Sequence, residues 1–212
     1  MTEIYVIRHG KTVWNSELRM QGKMNSPLLP EGIEGALSLR PVVSEIPFDR
    51  VLSSPMPRAL QTAYLATGGK FPMEVEPLLR EMDLGDFEGM LTTDAKENYA
   101  SSYDDFKHHP HRFEPVGDGE SYYQVADRVK KLLRKILNGN DQTILLVSHM
   151  ILVQSLLFIV EGREISTLRE TPYVMQSTLY KLIIDEVSPG HYSTRILMRN
   201  SEETDESYEF TL

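Results

Sequence analysis

Five side chains along the chain have types that could do chemistry together: Arg8, His9, Arg58, Glu81 and His149. Arg8 and His9 end a short apolar run in "IYVIRHGKTVWN", residues 4–15. Arg58 stands at the opening of a helical pattern in "SSPMPRALQTA", Glu81 lies in "LLREMDLGDFEG", and His149 follows the apolar "TILLVS". Two guanidiniums supply planar, permanently charged forks that can hold a tetrahedral dianion. Backbone N–H groups at the helix start near Arg58 could join the same anion site. A neutral imidazole among them is a nucleophile toward phosphorus. A carboxyl group kept protonated by desolvation can donate to the departing oxygen. The second histidine, if cationic, would stabilise the equatorial oxygens of the group in transfer. Alone, Arg8 and His9 fit an ordinary capped strand end; with the other three in this order, they read as a phosphoryl-transfer site.

The elements that must position these groups follow from periodicity. Residues 2–7 and 143–148 are β-rich apolar runs of the kind found inside a covered sheet, and 50–54 and 73–77 are weaker strand candidates. Helical spacing covers 56–67, 121–138 and the run from Met150 that ends at Gly162, and Pro30-Glu31 opens a helix over 30–45. Segments around Pro189-Gly190 read as an antiparallel hairpin. This alternation predicts one α/β domain of three layers over residues 1–200, with a central, mostly parallel sheet and helices on both faces. Ligands in such sheets sit beyond the carboxyl ends of the strands, where the five side chains fall. Residues 90–120 break the pattern and are expected to form a lid-like insertion. The acidic stretch 201–212 is expected to be a mobile tail.

Composition narrows the function. There is no cysteine, which excludes disulfides and thiolate catalysis and fits a reducing cytoplasm. The net charge of −9 argues against nucleic acid or an anionic membrane as partner. No run approaches the roughly 18 apolar residues of a membrane span, and the start lacks a signal peptide's pattern. The expected partner is a small phosphorylated metabolite, with oligomeric state, a homodimer included, left open.

The motifs also carry a resemblance. "RHGKT" with Asn15, "RMQG" at 19–22, "SSPMPRALQTA", "LREMDLGDFEG", "GDGES" at 117–121 and "VSHM" at 147–150 resemble, in order and spacing, the phosphoglycerate-mutase-like branch of the histidine phosphatase superfamily. The resemblance implies His9 as the phosphorylated nucleophile, Arg8, Arg58 and His149 as phosphoryl ligands, and Glu81 as proton donor. It further implies that Asn15, Gln21 and Gly22 line the substrate site and that no metal or other cofactor is needed. The chain departs from the family at Asn25, where aspartate is usual, at Met150, and at Gln154, where an arginine is common.

Three functions are compatible with these residues: a phosphomonoester phosphatase, a bisphosphoglycerate-dependent phosphoglycerate mutase, and a non-catalytic phospholigand-binding module. The filled catalytic positions disfavour the last. The cluster His108, His109 and His111 suggests a metal, but the intervening proline and the lack of matching carboxylates or cysteines favour a surface cluster. Asp83, Asp86 and Glu88 compete with Glu81 as the acid, Glu88 being better suited to bracing its loop. Trp14 and Tyr5 read as packing residues.

Overall fold

The computed structural model describes residues 1–212. Its chain order is β1 (Thr2–Arg8), α1 (Val13–Ser16), α2 (Pro30–Ser38), α3 (Arg40–Val43), β2 (Arg50–Ser53), α4 (Pro57–Thr67) and β3 (Met73–Val75). Then follow α5 (Thr92–Asn98), α6 (Ala100–His108), α7 (Tyr122–Leu137), β4 (Thr143–Ser148), α8 (Met150–Val160), β5 (Leu179–Ser188), β6 (His191–Arg199) and β7 (Glu202–Thr211). One seven-stranded sheet has the order β3-β2-β4-β1-β5-β6-β7. The four strands from β3 to β1 are parallel, and β5, β6 and β7 extend the sheet antiparallel. The sheet is therefore mixed, with its parallel half carrying the site.

Alternation along the central strands divides the core. Ile4 and Val6 of β1, with Ile144 and Leu146 of β4, pack into one cluster with α7 and α8; Tyr5, Ile7, Leu145 and Val147 pack into another with α3 and α4. A strand buried on both faces needs a continuous apolar run, and β1 and β4 have one. Helix α8 is buried all round, as its apolar composition requires. No helix is long and apolar enough to cross a membrane.

Two expectations need correction. Residues 202–211 are no tail but the edge strand β7, paired along its length with β6. Acidity hid a period of two: Thr204, Glu206, Tyr208 and Phe210 are less exposed than their neighbours. Arg199 and Arg195 of β6 neutralise Glu206 and Asp205. The helix over 30–45 is broken at Leu39, just ahead of Pro41, because a helical proline lacks the N–H of that turn. Segment 90–120 forms the insertion as α5, α6 and a return loop, anchored by Ala95, Phe106 and Phe113, which are buried in the main core.

Candidate active site

Arg8 and His9 leave the carboxyl end of β1, Ser148 and His149 leave that of the adjacent β4, and Ser53 and Ser54 end β2 beyond it. A pocket of about 230 Å³ opens there. Arg8, His9, Arg58, Glu81, Asn15, Gln21 and Gly22 all line it, so seven of the eight expected residues share one surface. His149 is the exception. It is fully buried behind His9, with ring centroids 5.1 Å apart.

His9 is held in one tautomer. Its Nδ1 lies 2.8 Å from the carbonyl oxygen of Gly10, and since a carbonyl only accepts, Nδ1 carries the hydrogen and Nε2 keeps its lone pair. Burial, then the charges of Arg58 and Arg8, hold the imidazole well below its usual value, so it is neutral. Gly10 cannot be larger: a Cβ there would run into the carbonyl of Gly32 at the start of α2. Its N–H donates to Thr62 Oγ1 at 3.0 Å, and that hydroxyl donates to the Arg58 carbonyl, fixing α4 against the strand tip.

The two arginines are braced by backbone carbonyls and by the Tyr173 hydroxyl. Arg8 Nη1 donates to the Val174 carbonyl at 2.5 Å and to the Tyr173 hydroxyl at 3.0 Å. Arg58 donates to the carbonyls of Met24 and Gly22 at 2.6 and 2.9 Å, and burial pushes it down to about 10, still charged at neutral pH. Asn25 Oδ1 accepts from the Arg58 backbone N–H and from its Nη1. That N–H is thus spent on the loop and is not free for an anion. Neutral Asn25 orients the guanidinium without cancelling its charge.

The condition of a cationic His149 is not met. Burial, with Arg58 next in importance, holds it well below the usual imidazole value, so it is neutral. Its Nε2 lies 2.7 Å from Ser54 Oγ, while its Nδ1 is buried without a partner.

Among the four acids near the loop, Glu81 alone lines the pocket. Its carboxylate accepts from the N–H groups of Met82, Ile151 and Leu152, the last two at the start of α8. Glu88 braces the loop as expected, accepting from Lys23 and Leu84 N–H, and Asp83 pairs with Lys23 at 2.7 Å. Gln21 and Asn15 both bond Thr12, and Gly22 turns at φ 51°.

Several working residues were missed by reading the sequence. Arg128 on α7, which lies in none of the motifs, is buried and donates to the carbonyls of Leu78, Arg80 and Glu81. Its other face meets the Glu120 carboxylate as a two-bond fork at 3.1 and 2.8 Å. Glu120 also accepts from Asp83 N–H, so the "GDGES" motif secures the acid-bearing segment. Trp14, read as packing, lines the pocket and carries the Arg19 guanidinium over its ring. Thr92, Tyr103, Phe106 and Lys107 of the 90–120 segment form its outer wall with Met150 and Tyr173. Gln154 is buried and meets Arg169, an arginine supplied from a different part of the chain.

The carboxylates thought missing near the histidine cluster come from one helical turn earlier. Asp104 pairs with His108 and His109, and Asp104, Asp105 and His109 bring their ligand atoms within 4.8 Å of one another at the surface.

A family model, "Histidine phosphatase superfamily (branch 1)", matches residues 4–190. Phosphoserine phosphatase 1 of Hydrogenobacter thermophilus is 29% identical over 168 residues, 78% of this chain and 79% of that protein. The adenosylcobalamin/alpha-ribazole phosphatase of Escherichia coli is 32% identical over 153 residues, 69% of this chain and 72% of that one. The solved structure of Bacillus stearothermophilus YhfR superposes with a TM-score of 0.87 at 27% identity, covering 96% of this chain and 98% of that one.

Proposed function

Because the chain belongs to the histidine phosphatase superfamily, branch 1, we propose that it is a phosphatase that hydrolyses phosphomonoesters of small molecules through a phosphohistidine on His9. The observation that carries this is the His9 tautomer: Nε2 is unprotonated, on a ring that lines the pocket together with Arg8 and Arg58. In the first step Nε2 forms a bond to phosphorus while the ester P–O bond breaks, and Glu81 delivers a proton to the leaving alkoxide. In the second, water attacks the phosphohistidine and gives its proton back to Glu81. Phosphate leaves and His9 is regenerated. Arg8 and Arg58 hold the equatorial oxygens throughout, and His149 backs the His9 ring from the buried side. Asn15, Gln21 and Gly22 shape the near wall around the ester oxygen. The relatives support the class, since those named above are phosphatases of phosphorylated small molecules.

Rapid quench without acid, using phosphorus-labelled substrate, tests this reading. Label should appear on His9 in a form stable to alkali and labile to acid. Full activity in His9→Ala would overturn it.

A further inference from the structure

Residues 171–178 form a strap ahead of β5, and Tyr173 and Gln176 of this strap line the pocket. Arg8 is fastened to it three times. Its Nη1 donates to the Val174 carbonyl at 2.5 Å and to the Tyr173 hydroxyl at 3.0 Å, and its own carbonyl accepts from Ser177 N–H at 3.1 Å. Both hydrogens of Nη1 are thereby committed. Nε is buried with no partner in the protein. Nε and Nη2 together make the guanidinium edge that two oxygens of a phosphate can take side by side. The strap thus settles which edge of Arg8 is left for the phosphoryl group.

The strap is itself pinned by Asn200, in the turn between β6 and β7. Asn200 Oδ1 accepts from Met175 N–H at 3.0 Å and from the Tyr180 hydroxyl at 2.6 Å, and Nδ2 donates to the Tyr173 carbonyl at 3.0 Å. Asn200 and Ser201 have φ of 47° and 66°, as a tight hairpin turn requires. The turn explains that backbone, and glycine would serve it as well. It does not explain a side chain whose every hydrogen bond goes to the strap or to Tyr180 just beyond it. Ser177, at φ 51°, is left-handed outside any hairpin. Such a backbone persists only where its surroundings impose it. Here the Arg8 carbonyl holds Ser177 N–H, and Gly35 of α2 leaves room for its side chain, since a Cβ there would come within 2.9 Å.

We infer that Asn200 is a positioning residue for the reaction: through the strap it holds Arg8 so that the Nε–Nη2 edge meets the phosphoryl group. This rests on the phosphatase reading and extends its machinery to the last hairpin of the chain.

Two substitutions separate the side chain from the turn. Asn200→Gly keeps the turn and removes the pin, whereas Asn200→Asp keeps the acceptor oxygens and tolerates the backbone. In Asn200→Gly the Kd of inorganic phosphate, by calorimetry, should rise about tenfold, and kcat/KM should fall by up to about 10²-fold, as for a displaced catalytic group. The loss should be equal for alkyl and aryl phosphates, because Arg8 holds the phosphoryl group and not the alcohol. Asn200→Asp should restore most of both. Unchanged phosphate affinity in Asn200→Gly, or a loss confined to one class of alcohol, overturns the proposal. So does a loss that only tracks the unfolded fraction in urea, with the Kd of the folded protein unaltered. The same titration in a His9→Ala background reads Arg8 without turnover. Weaker phosphate binding there on adding Asn200→Gly, with no label on His9 in the wild type, would reject the mechanism and keep the positioning.

Discussion

Nδ1 of His9 lies 2.8 Å from the carbonyl oxygen of Gly10, and this contact decides which nitrogen can react. With the hydrogen committed to Gly10, only Nε2 can take phosphorus. Because burial and two arginines hold the imidazole well below its usual value, the nucleophile stays unprotonated in mildly acidic solution. The acid limb of kcat/KM assigned to His9 should therefore fall well below the roughly 6.5 of free imidazole. A profile on an aryl phosphate, corrected for the substrate's own ionisation near about 6, measures it. A limb at the free-imidazole value would show that His9 is not desolvated as found here.

The same burial makes stability depend on pH. His9 and His149 are neutral when folded, their values lowered chiefly by desolvation, and both take up a proton near 6.5 once unfolded. The unfolded chain then binds more protons below that pH. The stabilisation is complete above about 6.5 and is lost as pH falls toward the folded-state values, at up to about 1.4 kcal/mol per pH unit for each histidine. Urea unfolding at steps from about pH 7 to about 5.5 should show this slope, and His149→Gln should remove roughly half of the part due to the pair. An unchanged slope in that variant would exclude His149 as a source.

Glu81 should matter most at the step that expels the leaving group. Glu81→Gln keeps the shape and removes the proton, so alkyl phosphate hydrolysis should fall about 10² to 10⁴-fold. Aryl phosphates, whose leaving groups need little protonation, should suffer far less. Equal losses on both would assign Glu81 a binding or structural role.

Arg128 positions that acid through the backbone. It donates to three carbonyls of the segment 78–81 and is itself forked by Glu120. Removing it by Arg128→Ala leaves the Leu78, Arg80 and Glu81 carbonyls without this donor and Glu120 with Arg80 and the Asp83 N–H, and should cost about 1–3 kcal/mol in urea unfolding. Arg128→Lys keeps the charge but loses the fork. It should depress kcat on alkyl phosphates more than on aryl phosphates, with KM little changed. A uniform loss on both classes would mean that Arg128 serves only folding.

Most candidate site residues were legible because they sit at strand or helix ends announced by local periodicity, as with Arg8 and His9 after β1, Arg58 at the start of α4 and His149 after β4. Their supports were not. Arg128 lies in no motif, and nothing local reveals that it faces the acid loop nearly fifty residues away in sequence. β7 was hidden for a related reason: its acids look solvated until Arg195 and Arg199 of β6 are placed opposite them. The charge of His149 escaped as well, because burial behind His9 is a property of neighbouring strands and not of "VSHM".

Hydrolysis should win over isomerisation. A mutase must hold a small phosphorylated carboxylate and keep water from the phosphohistidine, which needs several cations and a closed cover. Here the outer wall offers one free ammonium, Lys107, because the fork of Arg169 is occupied by Phe106, Tyr122 and Gln154. Lys96 and Arg112 of the same segment do not line the pocket, and Tyr173 at its mouth is 55% exposed. A single ammonium at an open mouth can orient an anionic leaving group but cannot retain it once the ester bond is broken. Water then reaches the phosphohistidine before the alcohol returns. Incubation with 3-phosphoglycerate and a trace of the bisphosphate primer, with free phosphate and 2-phosphoglycerate both followed, should give phosphate in large excess. Faster appearance of 2-phosphoglycerate would make the protein a mutase and would require a closure of the wall around Lys107 that this structure does not have.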